Sequence, residues 1–388
     1  MMGYQVFAVP CADYAGAEAA LRAAVTNMGG MERFVRPGER ILLKANLLRP
    51  APPETAICTH PAVVGAIAAM VKEAGGTPWI ADSPGGALQK ESVLRGLYEK
   101  TGMAQVAQRT GVQLCLDASS RLVDLPEGKV LRQAEIISPV LDADGIFDLC
   151  KMKTHVFMGM TGAVKNSFGL IPGLTKVGFH GSHPDKAQFA QVLLDLIGFM
   201  NPRLSVMDGI LAMEGEGPGA SGTPRPVGLL LLSDNPLALD VIAGEIMGLP
   251  RSSNPILLAA EARGLSPTRW EEIELVGAKL EDLRIPDYKF PANVRGNLME
   301  FLGPLTNTAQ RLCKNLLSQT PKIREDLCVG CAICKNACPG KAITMTGSGG
   351  KARVHPRSCI RCYCCHELCP QKAVELHRGW LGKLLSGG

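Results

Sequence analysis

Cys328-Val-Gly-Cys331-Ala-Ile-Cys334-Lys-Asn-Ala-Cys338-Pro339 and Cys359-Ile-Arg-Cys362-Tyr-Cys364-Cys365-His-Glu-Leu-Cys369-Pro370 repeat one cysteine spacing near the end of the chain. Thiolates three residues apart in sequence converge on three irons of one cubane, while a fourth, held just before a proline, turns away to a second cubane. The pattern therefore calls for two [4Fe-4S] clusters with crossed ligands. Cys328, Cys331, Cys334 and Cys369 take the first, and Cys359, Cys362, Cys365 and Cys338 take the second. Zinc is excluded, because its sites come in fours with paired spacings rather than two runs of three plus one. Cys364 competes for the register of the second run, but only Cys362, Cys365 and Cys369 keep the spacing.

Residues 323–378 resemble a bacterial-type ferredoxin with two [4Fe-4S] clusters, a small α+β unit, and the resemblance implies electron transfer with a donor or acceptor protein. Short apolar runs at Lys341–Met345, Ala352–His355 and Ala373–His377, parted by a turn of glycines and serine, are expected to be its strands. These residues carry nine Lys or Arg against four Asp or Glu, so the whole surplus of +5 resides here. Two oxidised clusters bring about −4, leaving the holoprotein near 5 − 4 = +1. The charge needs no nucleic acid to explain it.

The cluster cysteines call for a reducing, oxygen-poor compartment, and the expected location is cytoplasmic. No apolar run reaches the ~18 residues of a membrane span, and the first residues lack a signal-peptide pattern. The other six cysteines, Cys11, Cys58, Cys115, Cys150, Cys313 and Cys364, mostly stand among apolar neighbours and read as buried thiols.

Upstream, residues 1–285 alternate short β-rich runs with helical patterns, predicting an α/β domain with a mostly parallel sheet. Expected strands are Arg40–Leu43, Thr77–Ala81, Val112–Leu116, Gly145–Leu149, Leu204–Met207 and Val227–Leu232. Thr59-His60-Pro61 places a capping hydroxyl and a proline before a helix that Gly75-Gly76 ends, and Ser233-Asp234-Asn235-Pro236 opens another to about Met247. Prolines 286, 291, 304 and 321 mark 286–322 as a connector with one amphipathic helix, Phe301–Leu317. Residues 379–388 form a tail.

Chemistry concentrates in Lys151 to Asn166, continuing to His180 and His183. The segment is expected to begin where a strand ends, which is where open parallel sheets gather ligands. Its glycines let backbone approach a ligand, and its lysines and imidazoles supply charge and proton transfer. The bland reading is a glycine-rich surface loop. Lys44-Ala45-Asn46 and Asp82-Ser83 also follow strands, although Asp82 and Ser83 suit a turn or cap. Asp208 and the Glu214-Gly215-Glu216 run bind a metal or turn the chain. Gly217-x-Gly219-x-x-Gly222 matches a dinucleotide fingerprint on paper, but Thr223-Pro224-Arg225-Pro226 follows it, so no helix can receive a pyrophosphate.

The large domain resembles the family catalogued as domain of unknown function 362, often fused to a ferredoxin. The residues that carry this are Leu43–Leu48, Thr59-His60-Pro61, Asp82–Gly85, Lys153-Thr154-His155, Thr161–Asn166, Asp208-Gly209 and Asn235–Asp240. A narrower likeness, His155-x3-Gly159-x2-Gly162-x2-Lys165 with Pro172-Gly173 and His180, is similar to the core of nickel-pincer lactate racemases. That likeness implies a cofactor tethered to Lys165, proton transfer by His155 and a metal on His180. The leading expectation is a redox enzyme whose clusters pass electrons to a small anionic substrate or cofactor. Lys44, Asn46, Lys153 and Asn166 would bind the anion, and His155, Lys165 and His180 would act on it. A further cofactor or metal near Lys165 and His180 belongs to that expectation. The competing readings are an electron carrier or assembly factor that docks a partner enzyme, and an isomerase.

Overall fold

The computed structural model describes residues 3–85, 90–173, 175–292, 294, 319–347 and 350–377. The expected connector helix at 301–317 and the tail at 379–388 lie outside them.

Eleven strands build the large domain: β1 Tyr4–Pro10, β2 Arg40–Ala45, β3 Thr77–Ile80, β4 Gln113–Leu114, β5 Ser120–Asp124, β6 Gln133–Ile137, β7 Gly145–His155, β8 Gly159–Thr161, β9 Leu204–Gly215, β10 Gly222–Ser233 and β11 Ile273–Val276. Nine of them form one sheet in the order β11-β1-β10-β9-β7-β2-β3-β4, with β8 folded back on β7. From β9 through β4 every pairing is parallel. β10 runs antiparallel to both β9 and β1, and this makes the sheet mixed. The β5–β6 hairpin stands apart. One apolar cluster lies around Leu43, Phe147 and Leu230, and a second around Leu42, Cys150 and Leu231, as expected when alternate residues of central strands face opposite layers.

All six expected strands are present, but β7, β9 and β10 run several residues beyond their expected ends. The extension of β7 is a correction with consequences. The strand does not stop at Leu149, so Lys151, Lys153 and His155 sit on a buried strand and not in a loop after one. The surface-loop reading fails for the same reason. β1, seven residues long and flanked by β11 and β10, and the edge strand β11 were not expected from the sequence.

The helix Pro61–Glu73 is capped by His60, whose Nδ1 accepts from Ala62 N at 3.1 Å. Thr59 is not the cap; its hydroxyl donates to Leu149 O at 2.7 Å and ties the loop after β2 to β7. Helix Pro236–Met247 follows its Asn235 cap as expected.

The C-terminal domain adds β12 Thr320–Ile323, β13 Ile343–Met345, β14 Ala352–Val354 and β15 Val374–His377, paired β12–β15 and β13–β14 in two antiparallel ribbons. Pro321 sits inside the two-stranded β12–β15 ribbon, where its missing N–H is tolerated, and does not break the chain as expected. Tyr363 is buried in the same apolar cluster as the large-domain residues, so the two domains share a packed boundary. Among the described residues no helix is long and apolar enough to cross a membrane.

Candidate functional site

At the carboxyl ends of β2, β3 and β7 opens a cavity of about 670 Å³, the position at which parallel sheets gather ligands. All seven residues expected to act on or bind a ligand line it: Lys44, Asn46, Lys153, His155, Lys165, Asn166 and His180. Asp82, Thr161 and Lys176 join them from the same domain, and Cys364, Glu367 and Leu368 close it from the other. Lys151 and His183 lie elsewhere. Lys151 is buried against Asp208 at 2.6 Å, and Glu214 pairs with Arg225 at 3.2 Å, so both strand carboxylates are taken by cations.

Lys44, at the end of β2, forms a buried ion pair with Asp82 at 2.9 Å and donates to Asn166 Oδ1 at 3.0 Å. A buried charge demands such a partner, so Asp82 is structural machinery of the pocket and more than a turn residue. Gly169 is required here, since a Cβ would overlap Lys44 Nζ and Asp82 Oδ1. Asn46 donates to Asn166 Oδ1 at 2.9 Å and accepts from Lys153 Nζ at 2.8 Å, while Lys153 also donates to Ile57 O at 2.7 Å. Neither acceptor carries charge, and burial pulls the Lys153 ammonium down to about 8. Lys176 donates to Ser83 O and is drawn by burial down to about 7.

Lys165 rides the short helix Ala163–Asn166, whose first N–H groups are taken by a carboxylate from another helix. Asp240 accepts from Ala163 N at 2.6 Å and from Val164 N at 3.0 Å. Gly162 leaves room for that carboxylate, because any Cβ there would overlap it. The distant Asn235–Asp240 and Thr161–Asn166 segments thus belong to one device. Lys165 Nζ has no hydrogen-bond or ion-pair partner among the described residues; it stands 5.1 Å from the Phe168 ring centroid, and burial lowers its pKa.

His155 has a fixed tautomer. Its Nδ1 accepts from Phe157 N at 3.0 Å and Met158 N at 3.3 Å, so the proton resides on Nε2. Nε2 is buried without a hydrogen-bond partner and lies 3.8 Å from Glu367 Oε2. Burial, aided by Lys165, holds the ring's pKa well below its usual value. A neutral imidazole locked this way presents Nε2–H to the cavity as a hydrogen-bond donor. The His180 ring stacks on Phe189 at 4.5 Å between centroids, and burial drops its pKa to about 3.

Two smaller cavities, of about 350 and 320 Å³, lie in the C-terminal domain. The first is lined by Cys328, Cys331, Cys334 and Cys369, the second by Cys338, Cys359, Cys362 and Cys365. Four thiols in an apolar wall suit one cubane each, and the sorting is the crossed one. Ala342 N donates to Cys338 Sγ at 3.2 Å and Ala373 N to Cys369 Sγ at 3.3 Å, bonds of the kind that tune cluster sulfur.

The helix Cys364–Leu368 joins the three cavities. Cys364, Glu367 and Leu368 wall the large one, whereas Cys365, between them, faces the second small cavity and Cys369, just after, faces the first. Its seat is the turn between β9 and β10. Gly219 packs so closely that a Cβ would overlap Glu367 O, and His366 Nε2 approaches Glu216 O at 3.1 Å. Gly219, the middle glycine of the triplet that matches a dinucleotide fingerprint on paper, is the one that seats this helix. Sequence alone gave one hint, the extra Cys364 that fitted no cluster.

A family model described as domain of unknown function (DUF362) matches residues 41–245, and one described as 4Fe-4S dicluster domain matches 320–370. The chain is 34% identical over 294 residues to the thylakoid-associated protein sll1697 of Synechocystis sp., covering 73% of this chain and 89% of that protein. The lactate racemase apoprotein of Thermoanaerobacterium thermosaccharolyticum aligns at a TM-score of 0.39 and 13% identity, over 64% of this chain and 57% of the racemase. With sequence, relative and family model in agreement, the chain belongs to the DUF362 family and carries a C-terminal 4Fe-4S dicluster domain, which implies two [4Fe-4S] clusters.

Proposed function

We propose that the protein is an iron–sulfur oxidoreductase that binds a small anionic substrate or cofactor in the large cavity and exchanges single electrons with it. When bound, the clusters supply those electrons. The observation that carries this reading is the helix Cys364–Leu368, one face of which walls the ligand cavity while Cys365 and the adjoining Cys369 enter the two cluster cavities. A shared wall replaces a bimolecular encounter with a fixed short path.

The chain's own residues do the rest. Lys153, Lys165 and Lys176 attract the anion, His155 donates a hydrogen bond from Nε2, and the Phe157, Phe168 and Phe189 rings around His180 exclude water from that end. An external one-electron carrier protein serves the clusters, in a reducing, cytoplasm-like compartment.

The test is reoxidation of the anaerobically reduced protein by a panel of 2-oxo acids and enoates, with methyl viologen as an outer-sphere control. At least one carboxylate should reoxidise the clusters saturably, and Lys165→Met should abolish this without changing the viologen rate or cluster absorbance. Equal rates with and without Lys165 would mark the protein as a carrier and refute the reading.

A further inference from the structure

Buried polar groups are almost always hydrogen-bonded, so those that are not call for a missing partner. In the wall of the large cavity, His155 Nε2 and Thr161 Oγ1 are both buried and without hydrogen-bond partners among the described residues. Lys165 Nζ, from the next turn of chain, opens on the same cavity and is likewise unpaired there. The strand pair β7–β8 and the helix after it therefore present an N–H, a hydroxyl and an ammonium that have no hydrogen-bond acceptor among the described residues. An oxyanion is the group that accepts from all three at once.

Charge gives the second half. Lys44 is neutralised by Asp82. When all three are protonated, Lys153, Lys165 and Lys176 face Glu367 as the remaining carboxylate in the lining, a surplus of two positive charges in a site where both imidazoles are neutral. Asp148 and Asp240 do not line the cavity. Uncompensated buried charge is costly, and a ligand with two negative charges removes the cost.

Resting on the reading that an anion binds here, we infer that the ligand is a dianion. One of its oxyanionic groups is seated on His155 Nε2, Thr161 Oγ1 and Lys165 Nζ, and its charge is balanced by Lys153 and Lys176. Thr161 is thereby a binding residue. The depressed pKa values of Lys153 and Lys176 fit a site that sheds protons until such a ligand arrives.

Isothermal titration of the oxidised holoprotein with succinate, inorganic phosphate and acetate tests this. Succinate or phosphate should bind at least about tenfold tighter than acetate, the first marking a dicarboxylate ligand and the second a phosphomonoester. Thr161→Val, close in shape, should weaken that dianion roughly five- to tenfold with melting temperature and cluster spectrum unchanged. Dianions that bind no tighter than acetate, or not at all, overturn the inference, as does full affinity in Thr161→Val. No electron donor is present, so this failure is separate from failure of the reoxidation test.

Discussion

His155 Nε2 lies 3.8 Å from Glu367 Oε2, and this approach brings the buried strand β7 of the large domain to the helix that carries a cluster ligand. Glu367 supports the charged form of Lys165 and Lys153, although burial outweighs it at both. Removing its charge should expose how far the C-terminal domain governs the pocket.

Anion affinity should fall as pH rises. Lys176 titrates at about 7 and Lys153 at about 8 in the free protein, and an anion needs them protonated. The groups facing Lys176 are Asp82 and Glu367, which favour its charge, and Lys44 and Lys165, which oppose it. Binding should therefore weaken between about pH 7 and 8, and in Glu367→Gln the decline should begin at lower pH. Calorimetric titrations across that range check both statements.

Asp240→Ala should cost about 2 to 4 kcal/mol, because two buried N–H groups at the start of the Lys165 helix lose their acceptor. Gly162→Ala forces the same carboxylate away. The two substitutions should be markedly non-additive in denaturant unfolding, since each disables one contact.

Asp148 should leave a signature in stability against pH. Burial lifts this carboxyl from 3.8 to about 8, against the opposing pull of Lys44 and the hydrogen bond from Asn166. Between those values the folded protein retains a proton that the unfolded chain has lost. Its contribution is therefore greatest below about pH 4 and declines until about pH 8. Asp148→Asn should remove that decline, seen as a flatter dependence of melting temperature on pH between about 4 and 8 in the variant than in the parent.

Gly219→Val should unseat the helix Cys364–Leu368 by forcing its backbone outward at Glu367, at an overpacking cost of about 1 to 3 kcal/mol. Iron and sulfide content should stay at that of the parent, while reoxidation by a pocket ligand slows at least about tenfold.

Much of this was legible in residue order, and what was not has physical causes. Cysteine spacing alone sorted the eight thiols into the sets that line the two small cavities, because coordination geometry is local. Lys44, Lys153 and Lys165 could be nominated because they stand near strand ends, where ligands collect. Asp82 and Asp240 could not, since an aspartate beside a serine or inside an apolar helix looks the same whether it caps a turn or holds a distant lysine or helix. Thr161 was visible only as part of a motif; its unpaired hydroxyl is a fact of three-dimensional packing. The same holds for Gly219, whose neighbour Glu367 is far away along the chain, and for Lys151 to His155, where charged residues on a buried strand imitate a loop.

The most direct measurement is an anaerobic redox titration of the clusters, followed by electron paramagnetic resonance, with and without saturating succinate or phosphate, whichever binds. A dianion across the Cys364–Leu368 wall should disfavour the extra electron and shift at least one cluster to lower potential, and Lys165→Met should lose the shift. If the ligand binds in the pocket and both potentials stay where they were, pocket and clusters are not coupled and the account is wrong.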